Sequence, residues 1–504
     1  MLLLVAGVAF LYPACQYYID PDGTAYLTIS QRYANGDFNK AINGYWSPWS
    51  CWLTALGIKA GMEAIPASIL VNTLAGVGVL GVTQSFFIKM QVQRRLQWWL
   101  NTSLAVFLCY AVYIQTFADL WEVFLLLGSL RIMLADGYVR RPALWVLNGM
   151  VGALAYFAKA YAFPFFILNT LCCSYYLCRA GEQKLSYAHW LKMSIAPIAV
   201  MIACGSPWIY AMHDKYGIWT TSTAGKLNTS WYLVGHPYWN DNIRVLLPPV
   251  YPDSPYYWED PYVVNGDTPQ FWSSFKLFAL QIARVGLNLW KLAKSMLQLS
   301  PAFVVVWLLA IAAFFRAAYR QVYKGKERMV VLSFLLFPLG FLLINYEPRY
   351  IWYMLPLSMV LGASALQRRN AQPAVIALFA LSYMLWPLWD VHSIWGKGRA
   401  EYQLAQQMRS MGIQGSFTTA LPHGPHTQKL ARLAYFSGNS YYMIPGITIT
   451  QAALMADMRR YGVKYYLQYT AAGDTTQPLT ADGKAYPEVT KGRLPGIKIF
   501  RLLP

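Results

Sequence analysis

The sequence predicts an α-helical polytopic membrane protein with about eleven transmembrane helices and a small C-terminal α/β domain outside the membrane. Three observations predict it. Of 504 residues, 57% are hydrophobic and only 12% are charged, against about 25% charged in an ordinary soluble protein. Most of the surface must therefore face lipid. Apolar runs approaching the length of a bilayer crossing, about 20 residues, recur through the first 390 residues. After Asp390 the composition turns polar, with turn residues and short strand-like pieces.

The candidate spans are 2–19, 65–88, 98–115, 120–135, 143–158, 161–178, 192–212, 300–315, 329–345, 350–367 and 373–390. The first lacks a basic flank and a small-residue cleavage site, so it reads as a retained span rather than a signal peptide. The net charge is +19, from 41 Lys+Arg against 22 Asp+Glu. In a soluble protein that excess would suggest nucleic acid. Here much of it lies in short turns between apolar runs, where the positive-inside bias and anionic headgroups account for it. No nucleic-acid partner is expected.

The basic turns test the span assignment. Lys89, Arg94 and Arg95, then Arg140 and Arg141, Arg179 and Lys184, the group Arg316, Arg320, Lys324, Lys326 and Arg328, and finally Arg368 and Arg369 share one side if the N-terminus is inside. An odd number of spans then places the C-terminal tail outside, together with Asp20 and Asp22. The expected location is a bacterial inner membrane with the N-terminus cytoplasmic and the C-terminal domain periplasmic.

The outside segments differ in chemistry. Loop 20–64 carries Tyr26, Tyr33, Tyr45, Trp46, Trp49 and Trp52 and is expected to include a short interfacial helix. Segment 213–275 is dense in aromatics (Trp231-Tyr232, Tyr238-Trp239, Tyr256-Tyr257-Trp258), and long ordered loops are usually functional. Residues 276–294 place Lys276, Arg284, Lys291 and Lys294 among apolar residues, which suits an amphipathic surface helix better than a span. The predicted division is therefore 1–390 for the membrane domain, with outer loops 20–64 and 213–299, and 391–504 for the α/β domain. The latter has strands near 417–421 and 465–469 and a helix near 451–461. The seven cysteines include no CxxC pair and read as packing residues, with a Cys15–Cys51 disulfide conceivable.

Four groups could carry chemistry. Asp20 and Asp22 stand two residues apart in Asp-Pro-Asp-Gly, where the first span leaves the membrane. That sequence is good turn chemistry, but a carboxylate there could also take a proton as a general base or bind a metal. The segment Gln115-Thr116-Phe117-Ala118-Asp119-Leu120-Trp121-Glu122 puts two carboxylates at a span end. Such groups are costly at membrane depth and point to function, although Asp119 could also cap a helix. Lys159, at the hinge between two spans, could snorkel to the interface or meet a phosphate as a point charge. In Asn345-Tyr346-Glu347-Pro348-Arg349-Tyr350, Arg349 could pair with Glu347 or bind a phosphate through its planar fork. The six histidines form no HExxH, and His423 and His426 read as loop residues. There is no Walker loop, GxGxxG or GxSxG, so a nucleotide-driven pump is disfavoured.

In order and sidedness these groups resemble the GT-C class of integral-membrane glycosyltransferases, nearest to the branch of protein O-mannosyltransferases and lipid A aminoarabinose transferases. Asp22-Gly23-Thr24-Ala25-Tyr26 fits the class's Asp-x-x-x-Tyr in a first outer loop, and Tyr45-Trp46-Ser47-Pro48-Trp49 resembles the substrate-side loop after it. Ala158-Lys159-Ala160-Tyr161 is similar to the Lys-containing turn, and Arg349-Tyr350 with Leu355-Pro356 to a late Arg-Tyr…Leu-Pro segment. The resemblance implies a polyprenyl-phosphate sugar donor whose phosphate meets Lys159, Arg349 and Tyr350. It implies Asp22 (with Asp20 beside it) as base for an inverting transfer to a lipid, glycan or protein hydroxyl, with Asp119 and Glu122 as a second acidic site. One departure keeps a divalent metal open: Asp20-Pro21-Asp22 is an Asp-x-Asp pair such as the oligosaccharyltransferase branch uses near a metal, so Asp20, Asp22 and Asp119 form a candidate ligand set. The alternative from another class is a transporter or flippase of a lipid-linked or small anionic substrate. That reading expects midplane charges and internal repeats, and no repeat is evident. A purely structural anchor for the outer domain leaves the acid/base set unexplained.

Overall fold

The computed structural model of the chain describes all residues except 115–117, 181–183, 235–245, 267, 316–321, 422–424, 446–449, 471–479, 482–483 and 503–504. Gln115, Thr116, Phe117, His236, Tyr238, Trp239, Arg316, Arg320 and His423 therefore lie outside the described residues.

Every predicted span meets helix. The segments are Leu2–Cys15, Ala64–Lys89, Arg94–Ala111, Asp119–Met133, Pro142–Ala158, Ala162–Ala180, Tyr187–Tyr216, Pro301–Phe315, Glu327–Leu336, Met354–Arg368 and Pro373–Ile394. Length and composition alone make three stretches able to cross a membrane among the described residues: Ala64–Lys89, Tyr187–Tyr216 and Pro373–Ser410. Leu2–Cys15, Pro142–Ala158 and Pro301–Phe315 are shorter apolar helices. Close packing uses small residues, as expected where lipid offers no hydrophobic drive between helices. A Cβ on Gly149 would stand 2.5 Å from the Pro197 carbonyl oxygen, so only glycine lets these two helices meet.

Residues of three basic turns, Lys89, Lys326 and Arg368, come together. Asp136, in the turn after Met133, takes Lys89 at 2.7 Å and Lys326 at 2.5 Å, while Arg368 pairs with Glu327 at 2.5 Å. The helix Asp119–Met133 starts in the cavity described below and ends beside that cluster.

One expectation needs correcting. The 329–345 run is not one helix: Glu327–Leu336 tightens into a 3-10 segment, Phe337–Leu343, and then extends at Ile344. Pro338 cannot donate its backbone hydrogen bond, and a Cβ on Gly340 would overlap the Tyr161 ring. At 276–294 the amphipathic helix does form, over Phe275–Leu299, with Lys276 and Lys294 exposed and Leu292, Met296 and Leu299 buried. Phe275, Ile282, Trp290 and Leu297 are exposed, whereas Gln281, Asn288 and Ser295, seven residues apart, are buried. Asn288 donates to the carbonyls of Leu342 (2.9 Å) and Ile344 (2.8 Å), and Gln281 to that of Leu343 (2.9 Å). The polar stripe thus satisfies the backbone that the broken helix leaves open, as membrane-depth backbone requires.

The small domain has the α/β character expected. Its four-stranded sheet runs in the order Ser440–Tyr441, Ser416–Thr419, Tyr465–Tyr469, Ile497–Arg501. The first three strands are parallel and the last antiparallel. Helices Arg399–Ser410, Pro425–Ser437 and Gln451–Arg460 pack around it. His426 begins the Pro425–Ser437 helix rather than lying in a loop. The domain's core is continuous with Ile19, Leu27 and Tyr256 of the membrane part, and Arg432 donates to the Ile19 carbonyl at 2.8 Å. All seven cysteines are free; Cys51 Sγ lies 3.7 Å from the Tyr26 carbonyl, so the conceivable Cys15–Cys51 bridge does not form.

Candidate active site

Asp-Pro-Asp-Gly is neither a turn nor a loop. It starts the helix Pro21–Asn35, with Asp20 as N-cap accepting from the Gly23 amide at 2.7 Å and Pro21 at the first helical position. Both choices favour a helix start. This places Asp22 in the first turn, facing a cavity of about 860 Å3. Asp20 is 3% exposed and does not line that cavity. Burial, with Asp22 close by, pushes its carboxyl well above the ordinary range. The two aspartates of the Asp-x-Asp pair therefore part company.

The other predicted groups converge on Asp22. Arg349, from the 3-10 turn Pro348–Ile351, puts Nη2 2.6 Å from Asp22 Oδ2, Nη1 3.6 Å from Asp119 Oδ2 and Nε 2.9 Å from Glu347 Oε2. Asp119 then bonds Lys159 through its other oxygen, and Lys159 Nζ lies 3.4 Å from Glu122 Oε2. Asp119 is the first residue of its helix; Ala118 occupies the cap position, so the capping role does not hold. Lys159 sits in extended backbone (φ −155°) where Pro142–Ala158 ends and the next helix begins. It stands 4.5 Å above the Tyr350 ring centroid, and that ring stacks on Phe341. Tyr350 thus supports Lys159 through a cation–π contact. Ser47 accepts from the Ala160 amide at 3.1 Å, tying the Tyr45–Trp49 segment to the lysine hinge.

The cavity lining is of two chemical kinds. Pro164, Phe165, Leu168, Leu336, Leu339 and Leu343 make an apolar group. Tyr45, Trp46, Trp231, Tyr257 and Trp258, with Asn228 and Thr229, make the other, and Thr427 and Gln428 of the small domain contribute to the lining. Charged lining comes from Asp22, Asp119, Glu347, Lys159 and Arg349. In effect the charges alternate: Asp22, Arg349, Asp119, Lys159, Glu122.

Asp20, Asp22 and Asp119 do not come together as a ligand set. Among the described residues no three His, Cys, Asp or Glu side chains converge as ligands. Asp20 is committed to its cap, and the Arg349 guanidinium stands between Asp22 and Asp119. A fixed positive group in that place opposes a second cation there.

Sequence reading missed the roles of four residues. The indole of Trp258 donates to Asp22 Oδ1 at 3.0 Å. Asn228 accepts from the Tyr45 hydroxyl at 3.0 Å. Thr427 and Gln428 arrive from a domain more than 400 residues downstream of Asp22. The only available signal was the aromatic density around Tyr256-Tyr257-Trp258, which marks a functional loop without naming its partner.

Solved structures share this architecture. The Archaeoglobus fulgidus oligosaccharyltransferase, in its complex with Zn and sulfate, matches with a TM-score of 0.54 and 14% identity, covering 93% of this chain and 68% of that one. ArnT from Cupriavidus metallidurans bound to undecaprenyl phosphate matches with a TM-score of 0.54 and 12% identity, over 100% of this chain and 98% of that one. The A. fulgidus oligosaccharyltransferase AglB, in complex with an inhibitory peptide and a dolichol-phosphate, gives 0.53 and 12%, over 93% and 69%. The chain therefore has the GT-C glycosyltransferase fold that its motifs imply. No protein-family model matches the sequence, and no curated protein does.

Proposed function

We propose that this protein is an integral-membrane glycosyltransferase that moves a sugar from a polyprenyl-phosphate donor to an acceptor hydroxyl, with inversion. The observation that carries the reading is the alternating chain Asp22–Arg349–Asp119–Lys159 in a cavity with apolar and aromatic lining. The apolar lining suits a prenyl tail. Lys159 and Arg349 bring ammonium and guanidinium donors to the phosphate. The acceptor oxygen attacks the anomeric carbon as the bond from that carbon to the phosphate oxygen breaks. The phosphate leaves with the electron pair, and Asp22 takes the hydroxyl proton. The two cations offset charge on the departing phosphate. Asp119 links them, and Glu122 holds Lys159 from behind. Arg349 already holds the two carboxylates, which supports transfer without a metal.

The reading includes eleven crossings, the cavity and small domain on the extracytoplasmic side, and a bacterial inner-membrane location. The meeting of Lys89, Lys326 and Arg368 at the end of Asp119–Met133 away from the cavity supports that orientation. The decisive experiment incubates purified protein with a panel of polyprenyl-phosphate sugars and candidate acceptors, with mass analysis of the products. Asp22→Asn is expected to stay folded and lose transfer by roughly 10²–10⁴-fold; wild-type-like transfer would remove Asp22 as the base.

A further inference from the structure

Trp258 touches the assigned base, and the segment that carries it is fastened more heavily than a surface loop requires. Its indole Nε1 donates to Asp22 Oδ1 at 3.0 Å, while Arg349 holds the other oxygen at 2.6 Å. Trp258 belongs to the 3-10 turn Tyr257–Glu259, which lies along the helix Pro21–Asn35. At one end of that contact the Tyr256 hydroxyl donates to the Pro21 carbonyl at 2.8 Å. At the other end Arg32 grips Glu259 through Nε and through Nη2, the latter at 3.1 Å. Arg32 and Glu259 are 6% and 1% exposed. The turn's own carbonyls are fixed as well. Trp46 Nε1 donates to Trp258 O at 3.0 Å, and Asn43 Nδ2 to Glu259 O at 2.7 Å. Asp260 receives Lys215 and the Tyr216 hydroxyl, both at 2.8 Å.

A buried, two-pronged arginine–carboxylate pair is geometrically strict, and its desolvation makes it a weak source of net stability. What it supplies here is register. Ten residues separate Asp22 from Arg32, roughly 15 Å along one helix. The base and the clamp therefore stand on one rigid rod, and the turn spans both.

We propose that Trp258 is a positioning residue for Asp22: its indole N–H fixes the orientation of the carboxylate, and the Arg32–Glu259 pair holds the indole in place from outside the cavity. This rests on the reading of Asp22 as the base that takes the acceptor's proton. Neither Arg32 nor Glu259 lines the cavity, so neither touches substrate. With one oxygen held by the indole and the other by Arg349, the carboxylate cannot turn away from the acceptor. Displacement of about 1 Å at a reacting group can cost about a hundredfold in rate.

The test compares Trp258→Phe, which keeps an aromatic wall and removes the N–H, with Glu259→Gln, which keeps an oxygen for Arg32 and removes the charge. Steady-state constants are measured for donor and acceptor separately, alongside thermal stability. Trp258→Phe is expected to lower kcat by about tenfold or more, with both KM values nearly unchanged. Glu259→Gln is expected to lower kcat in the same way though less, and to add little in the Trp258→Phe background because both act through one contact. An acceptor KM that rises while kcat holds would make Trp258 a binding wall only and overturn the proposal. If Trp258→Phe does not fold, Glu259→Gln decides alone: unchanged kcat overturns it. An active Asp22→Asn would sink the base assignment itself, whereas an inactive Asp22→Asn beside a fully active Trp258→Phe would sink only the positioning role.

Discussion

Arg349 Nη2 lies 2.6 Å from Asp22 Oδ2 and joins the second helix of the chain to a turn 327 residues later. The same guanidinium reaches Asp119 and Glu347, so one side chain organises three carboxylates. Asp119 in turn spans both cations. The site behaves as one connected unit, and its parts are expected to respond together.

Lys159→Ala and Arg349→Ala are each expected to weaken donor affinity by about tenfold or more, the scale of losing one charge-assisted hydrogen bond, while acceptor affinity changes little. Binding of the donor and of the bare polyprenyl phosphate, each titrated apart from acceptor, checks this. Because Asp119 is shared, the double variant should lose less than the two single losses combined. Equal weakening toward donor and acceptor would count against a phosphate role.

Asp20 separates capping from catalysis. Asp20→Asn keeps an oxygen for the Gly23 amide and removes a buried carboxyl whose burial disfavours its charge, so it should retain transfer and match or exceed the parent's thermal midpoint. Asp20→Ala removes the cap and should cost about 1 kcal/mol. Loss of transfer in a well-folded Asp20→Asn protein would restore Asp20 to the reaction.

Chelation is a second discriminator. With Arg349 between Asp22 and Asp119, exhaustive EDTA treatment should leave the transfer rate unchanged. A loss recovered on adding magnesium, manganese or zinc would show that a cation displaces the guanidinium during turnover.

Acid should loosen the clamp region. The hydrogen bond from Arg32, with that from Lys40, holds the Asp253 carboxyl at about 2, below its ordinary 3.8. A depressed carboxylate contributes stability above its ordinary value and loses it as pH falls toward the lowered one. Asp253→Asn should therefore flatten the acid dependence of thermal stability between about pH 4 and 2. The effect should be below about 1 kcal/mol, because the group is over half exposed and screened. An unchanged acid profile would mean that the network adds nothing in solution.

Much of this was legible one residue at a time. Apolar runs met helix at each predicted span among the described residues, because an apolar stretch of that length is legible in composition alone. Asp22, Asp119, Lys159 and Arg349 stood out because charge at a span end is costly. What local sequence could not carry was the assignment of partners. Asp20 and Asp22 look alike in Asp-Pro-Asp-Gly, yet one caps a helix and the other faces the cavity, which only the entry angle of that helix decides. Trp258 was one aromatic among many until its indole met a carboxylate 236 residues earlier. The break at Phe337–Leu343 was hidden because Pro338 and Gly340 sit in an otherwise uniform apolar run.

The helix Phe275–Leu299 has a further consequence. It exposes Phe275, Ile282, Trp290 and Leu297 while burying Gln281, Asn288 and Ser295, an arrangement that suits a lipid surround. Placed in water, the favourable orientation would be the reverse, with Asn288 and Gln281 hydrated and the carbonyls of Leu342, Leu343 and Ile344 abandoned. The strand of chain that delivers Arg349 begins just beyond those carbonyls. On the proposed reading, lipid supports the turn that carries Arg349, and a detergent too thin to coat that helix should lower sugar transfer before it unfolds the protein.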